Sequence, residues 1–262
     1  MRQLSCNLKL TNRFSLLIVF LNGLVILFML FSGAMTTMAA TVEDRMENFI
    51  YNEPKPEKVV YLTFDDGPSR YTLELLDLLE EHDIPAIFFV IGENIDMLSN
   101  AEDCLKEIIK RGHYIGLHSM THNMDKLYNV PNAPQNFVNE MLEVREKIKE
   151  LTGGFESNLC RPPYGGRTHF KAGHYRALDQ AGLQCVDWNV DSLDWSKSST
   201  DQIFNQVVAD LKHNQYPDEV ILLFHEKKLT LEVLPRIIEY YQDIGYVFMP
   251  YYEGEEFDCM KK

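Results

Sequence analysis

Apolar and polar positions alternate along the chain in three distinct ways, and each predicts a different kind of element. The first is a single long run, residues 14–31 (FSLLIVFLNGLVILFMLF), interrupted only by Ser15, Asn22 and Gly23. It has no polar face to meet water, which argues against a surface helix. Its length just suffices to span a bilayer. Arg2, Lys9 and Arg13 precede it, and Glu43, Asp44 and Glu47 follow it. A positive flank stays on the cytoplasmic side, so the remainder of the chain is expected outside the cytoplasm. The small-residue stretch TTMAA offers a cut after Ala39 or Ala40. Residues 1–40 are therefore expected to be a signal peptide, with a secreted product, or an uncleaved membrane-anchoring helix. Residues 41–56, with two prolines near their end, read as a short polar tether.

The second pattern is a set of short apolar runs rich in β-branched and aromatic residues. These are VVYLTF (59–64), AIFFVIG (86–92), HYIGLH (113–118), NLCRPP (158–163), QCVDWNV (184–190), EVILLFH (219–225) and YVFMP (246–250). Continuous apolar runs of this length suit parallel strands covered on both faces. The third pattern is helical. Phe137, Met141, Val144, Ile148 and Leu151 form one stripe, and Ile203, Val207 and Leu211 form a second. Leu231, Leu234, Ile237, Ile238 and Tyr241 form a third, with Gly245 beyond it as a stop.

Strand–helix alternation over 57–252 implies parallel strands joined by right-handed crossovers. The fold class expected is α/β: a single distorted (β/α) barrel of about seven parallel strands, with residues 253–262 as a tail. Composition agrees, with 45% hydrophobic and 24% charged residues in 262. The formal net charge of −14 speaks against nucleic acid as a partner. Five cysteines, at 6, 104, 160, 185 and 259, form neither a disulfide framework nor a zinc-finger spacing.

In a parallel barrel, reactive groups collect where strands end and loops begin. Asp65, Asp66, Gly67 and Pro68 follow the first expected strand. His118 ends the third, with His122 four residues later. Arg161, Pro162, Pro163 and Tyr164 close the fourth; Asp191, Asp194 and Trp195 follow the fifth; His225 ends the sixth. Two adjacent carboxylates at a buried strand end repel each other and call for a cation. Histidines at i and i+4 share a face if their segment makes a helical turn. With a carboxylate they make a two-histidine, one-carboxylate set that leaves coordination positions open, as a catalytic metal needs. Arg161, at a rigid corner before two prolines, can orient a carboxylate. Asp191 reads either as a helix cap or, opposite His225, as the group that keeps this imidazole protonated. His82, His113, His169, His174 and His213 have no such company.

Together the segments TFDDGPS (63–69), HSMTH (118–122), RPPYG (161–165), DSLDW (191–195) and LFH (223–225) resemble, in order, the five motifs of the polysaccharide deacetylase family. This is the NodB-homology domain of carbohydrate esterase family 4, and the similarity runs over roughly residues 57–252. The resemblance implies that Asp66, His118 and His122 hold a divalent metal, usually zinc, with cobalt or nickel able to serve. It implies Asp65 as general base, oriented by Arg161, and His225 as general acid, tuned by Asp191. The Tyr164 N–H would receive the oxyanion, and Trp195 and Leu223 would wall the pocket for the acetyl methyl. Glu226 stands where the family commonly has Asp, and Cys160 where it commonly has an aromatic.

The expected activity is removal of N-acetyl groups from a cell-surface polysaccharide, N-acetylglucosamine of peptidoglycan before chitin oligomers or O-acetyl xylan. No protein partner is called for. Two rivals remain at this level. The metal triad also serves iron oxygenases, which usually sit on jelly rolls. A non-catalytic glycan-binding module is the other, against which stand the intact Asp65 and His225.

Overall fold

Residues Val59–Gly67 form β1, which pairs with the strand Ala86–Val90 on one side and with Glu219–His225 on the other. Its alternate side chains enter different surroundings, as strand geometry dictates. Val60, Leu62 and Phe64 join the larger apolar cluster beneath the helices, while Val59 and Tyr61 join a second cluster on the other face. The computed structural model describes residues 55–257. The expected signal or anchor segment, its cleavage stretch and most of the tether lie outside the described residues. Among the described residues, no helix is long and apolar enough to cross a membrane.

The other strands are β2 (Ala86–Val90), β3 (Tyr114–Leu117), β4 (Leu159–Cys160), β5 (Gln184–Cys185), β6 (Val190–Asp191), β7 (Glu219–His225) and β8 (Val247–Phe248). They pair in parallel in the order β5-β4-β3-β2-β1-β7-β6, and β8 lies beside the first residues of β1. Among the described residues no ladder joins β5 to β6, so seven strands make an open, distorted α/β barrel. The helices are α1 (Thr72–Glu81), α2 (Gly92–Met97), α3 (Ala101–Lys110), α4 (Met124–Tyr128), α5 (Ala133–Thr152), α6 (Gly166–His169), α7 (Ala172–Ala181), α8 (Thr200–His213) and α9 (Lys228–Asp243). The three expected stripes lie on α5, α8 and α9. Phe137, Met141, Val144 and Ile148 are buried on α5, as are Ile203, Val207 and Leu211 on α8.

Two expectations are corrected. The run 184–190 is not one strand but the two short strands β5 and β6 on either side of the opening. Polar side chains between them take the chain across. Asp187 accepts from the N–H groups of Gly166 and Arg167 at 2.8 and 3.0 Å, on the β4 side. Asn189 then bonds β7, donating to the Glu219 carbonyl and accepting from the Ile221 N–H, both at 2.8 Å.

The expected tail is the second. Phe257 is buried, stacked on Tyr251 with ring centroids 5.3 Å apart and edge-on to Tyr61 at 4.9 Å. Glu253 accepts from the Tyr114 hydroxyl and Glu255 from that of Tyr61. As far as Phe257, this segment closes the amino end of the barrel.

Candidate active site

The opposite, carboxyl end collects the polar residues. Asp65 and His225 are register partners on β1 and β7, so they face each other across one ladder. Arg161, which follows β4, is fully buried, and every contact it makes fixes its plane. Its Nη1 donates to Asp65 Oδ1 at 2.8 Å and to Thr63 Oγ1 at 2.7 Å. Nε and Nη2 donate to the carbonyls of Val186 and Asp187, and the guanidinium lies 4.2 Å from the Phe89 ring centroid. A buried guanidinium needs this degree of pairing, and Asp65 is oriented as a consequence.

Asp66 follows in a left-handed conformation (φ 65°), which turns its side chain toward the histidines. Its Oδ1 is 3.5 Å from His118 Nε2 and 3.4 Å from His122 Nε2. The two histidines do not come together through a helical turn, as their i, i+4 spacing suggested. Ser119 and His122 both have positive φ, and the Ser119 hydroxyl accepts the His122 N–H at 2.9 Å, closing a tight bend. His118 Nδ1 lies 2.8 Å from the Arg161 carbonyl, which can only accept, so this nitrogen carries the proton and Nε2 presents its lone pair.

The donor set fits a divalent metal. Asp66 Oδ1 is buried and has no hydrogen-bond partner, although two imidazoles adjoin it. The three donor atoms lie within 4.8 Å of one another. Tetrahedral zinc bonds of about 2.0–2.1 Å would separate neighbouring donors by roughly 3.4 Å, close to the Asp66–histidine distances. Protonation also suits ligation. Burial and the adjacent His118 hold His122 below the ordinary imidazole range. Burial opposes charge on Asp66, but the imidazoles around it, His118 first, carry it below the usual carboxylate range.

His225 is tuned by a different aspartate from the one expected. Asp191 accepts from the Leu193 N–H at 2.8 Å and caps its own turn. Asp194 is the partner. Its Oδ1 lies 2.7 Å from His225 Nδ1, and its Oδ2 accepts from the His225 N–H and the Thr230 hydroxyl at 2.8 and 2.6 Å. Burial works against a charged imidazole, but the Asp194 hydrogen bond and charge, with Asp65 and Asp66, push His225 up to about 9. Leu193 at φ 51° turns Asp194 back to the strand end, and nothing about a leucine announces that conformation.

Tyr164, half exposed with φ 64°, packs its ring 4.6 Å from that of His122 and donates its hydroxyl to the His122 carbonyl. Its N–H has no acceptor among the described residues. Leu223 is buried on the face of β7 that also carries His225, and Trp195 stands exposed beyond Asp194. The contacts at this end join Asp65, Asp66, His118, His122, Arg161, Tyr164 and His225, with Thr63, Asp187 and Asp194 as further partners. Asp191 and Leu223 are register partners on β6 and β7, and Trp195 is placed only by following Asp194.

One rim of an open parallel barrel thus holds a buried carboxylate–arginine pair, a two-histidine, one-carboxylate donor set and a histidine held by an aspartate, which are parts that hydrolysis uses. The family model for polysaccharide deacetylases matches residues 52–186. A peptidoglycan-N-acetylglucosamine deacetylase of Bacillus cereus is 39% identical over 78% of this chain and 72% of its own length. A chitooligosaccharide deacetylase of Rhizobium leguminosarum is 36% identical over 63% of this chain and 66% of its own. Among solved structures, a polysaccharide deacetylase of Bacillus cereus superposes with a TM-score of 0.68 at 37% identity, covering 76% of this chain and 95% of that one. The chain belongs to the polysaccharide deacetylase family, and it is a deacetylase acting on acetylated polysaccharide.

Proposed function

We propose that the protein is a metal-dependent de-N-acetylase of the cell surface, with N-acetylglucosamine of peptidoglycan as its substrate. The observation that carries this reading is the partnerless Asp66 Oδ1 between two imidazoles, beside a carboxylate and a protonated histidine in register. Similarity to a peptidoglycan deacetylase supports the substrate.

Amide hydrolysis at neutral pH needs an activated water, a polarised carbonyl and a proton for a poor leaving group. Asp66, His118 and His122 would hold the metal, zinc by its donors, which supplies Lewis acidity toward the acetyl carbonyl. Asp65 takes the proton of the attacking water, with its carboxylate oriented by Arg161, which Thr63 helps to hold. The Tyr164 N–H receives the developing oxyanion. His225 delivers the proton to the departing amine, and Asp194 keeps it charged until then. Leu223 and Trp195 line the space for the acetyl methyl. The apolar run at 14–31 supports a site of action outside the cytoplasm, anchored or released after Ala39 or Ala40. The intact mass of the exported form distinguishes the two.

Acetate release by the full chain tests the whole reading, with zinc-loaded and chelator-treated protein on peptidoglycan, N-acetylglucosamine oligomers and acetylated xylan. Zinc-dependent release from peptidoglycan is expected. Release from xylan or free oligomers alone would replace the substrate but keep the chemistry. Release unaffected by the chelator would remove the metal from it.

A further inference from the structure

The backbone under the metal-site residues is unusual. Asp66, Ser119 and His122 all adopt positive φ, at 65°, 68° and 49°. Non-glycine residues persist in that region only where their surroundings over-determine them. The residues that do so include two buried glutamates, neither belonging to the five motifs.

Glu226 lies one residue beyond His225 and is almost wholly buried. Its Oε2 accepts the Ser69 N–H at 3.0 Å, the Ser69 hydroxyl at 2.7 Å and the Thr72 hydroxyl at 2.5 Å. Its Oε1 is pressed against Gly67, where an added Cβ would come within 2.3 Å of it. This carboxylate therefore grips the turn that starts immediately after Asp66. Glu140, on α5, is buried to a similar degree. Its Oε2 accepts the Thr121 N–H at 3.0 Å and the Thr121 hydroxyl at 2.9 Å. Thr121 sits between His118 and His122, so this carboxylate grips the other loop.

The first turn of α2 ties the two loops together. Gly92 and Glu93 donate their N–H groups to the Ser119 and Met120 carbonyls at 3.1 and 2.8 Å. Asn94 Nδ2 donates to the Asp66 carbonyl at 2.8 Å.

We propose that Glu140 and Glu226 are paired positioning residues, each gripping one loop so that the donor atoms of Asp66, His118 and His122 stand at metal-holding distances. The proposal rests on the metal-site reading above. A carboxylate suits the task because one oxygen accepts two or three donors at once. Alanine at either position removes the acceptor that these N–H and hydroxyl groups share, and the loop relaxes from its positive-φ conformation. Glutamine keeps an acceptor oxygen for the same N–H and hydroxyl groups.

The test is titration of the chelator-treated full chain with Co²⁺, read by its visible absorption and by competition for affinity. Loss of a partner outside the ligand set typically weakens metal binding by about 10–100-fold. A loss of that size, with an altered Co²⁺ spectrum, is expected for Glu140→Ala and for Glu226→Ala. Glu140→Gln and Glu226→Gln should stay close to wild type in both. Circular dichroism of the metal-free proteins identifies the folded variants. Should an alanine variant not fold, Glu140→Asp, which withdraws that carboxylate by one methylene, or Thr72→Val, which removes a hydroxyl donor to Glu226, takes its place. Folded variants with wild-type affinity and spectrum would overturn the proposal and leave the deacetylase reading intact. Wild-type protein that takes up no Co²⁺ would overturn both the metal site and the proposal.

Discussion

The two ends of the barrel hold the same kinds of side chain in opposite arrangements. At the amino end, the carboxylates of Glu253 and Glu255 meet the phenolic hydroxyls of Tyr114 and Tyr61, under the stacked rings of Tyr251 and Phe257. A donor faces an acceptor there, hydroxyl against carboxylate. At the carboxyl end, Asp66 faces the imidazole nitrogens of His118 and His122, and the His118 ring is already committed through Nδ1 to the Arg161 carbonyl. Between Asp66 and His118 acceptor faces acceptor, an arrangement that suits a cation. Around the site Asp66, Ser119, His122, Tyr164 and Leu193 take positive φ. One end closes on itself through rings and hydroxyl–carboxylate pairs and the other collects the reactive groups, which is how parallel barrels separate stability from chemistry.

The sharpest way to break this comparison is Asp65→Asn. Asparagine keeps an acceptor for Arg161 but cannot take a proton, so turnover should fall by about 10²–10⁴-fold. Metal content should stay at the wild-type level, because Asp66, His118 and His122 are untouched. Simultaneous loss of metal, measured by elemental analysis, would count against the division of roles between the two aspartates.

A smaller effect separates Asp194 from Asp191. His225 is held up to about 9 against an ordinary 6.5, first by its Asp194 hydrogen bond once burial is overcome. The stabilisation from that pairing is complete below pH 6.5 and is lost as pH rises through about 9. In chelator-treated protein, the imidazole resonance of His225 should titrate near 9 in the wild type and in Asp191→Asn. Asp194→Asn should bring it down toward 6.5. A shift in Asp191→Asn of equal size would restore Asp191 as the tuning residue.

That contrast also marks where the sequence stopped being informative. Strand positions were legible because a parallel strand covered on both faces writes itself as a continuous apolar run, and β1, β2, β3 and β7 all do so. The site was legible because strand ends deliver side chains to one rim, whatever the loops then do. What was not legible depends on single backbone angles and on distant partners. Asp191 and Asp194 are both acidic and both follow the same segment; a leucine at positive φ between them decides which reaches His225. The i, i+4 spacing of His118 and His122 pointed to a helical turn, and a serine hydroxyl makes a different bend instead. β5 and β6 looked like one strand because Asp187 and Asn189 are polar positions inside an otherwise strand-like run, and their partners lie far along the chain.

The amino end supplies the weakest effect on chemistry and the control for the others. Phe257→Ala removes a buried ring from between Tyr61 and Tyr251. Truncating a buried phenylalanine costs about 3–5 kcal/mol, and the low end applies here because the closing segment can detach by itself. For a domain of this size, about 3 kcal/mol lowers Tm by roughly 6–12 °C. The carboxyl end does not use this ring, so kcat/KM at 25 °C should remain within about twofold of wild type, which is below 0.5 kcal/mol in the barrier. A thermal melt and an acetate-release assay on the same sample decide the matter. Unchanged Tm with reduced kcat/KM would mean that the two ends are coupled through β1, whose Tyr61 and Asp65 stand on one face two side chains apart.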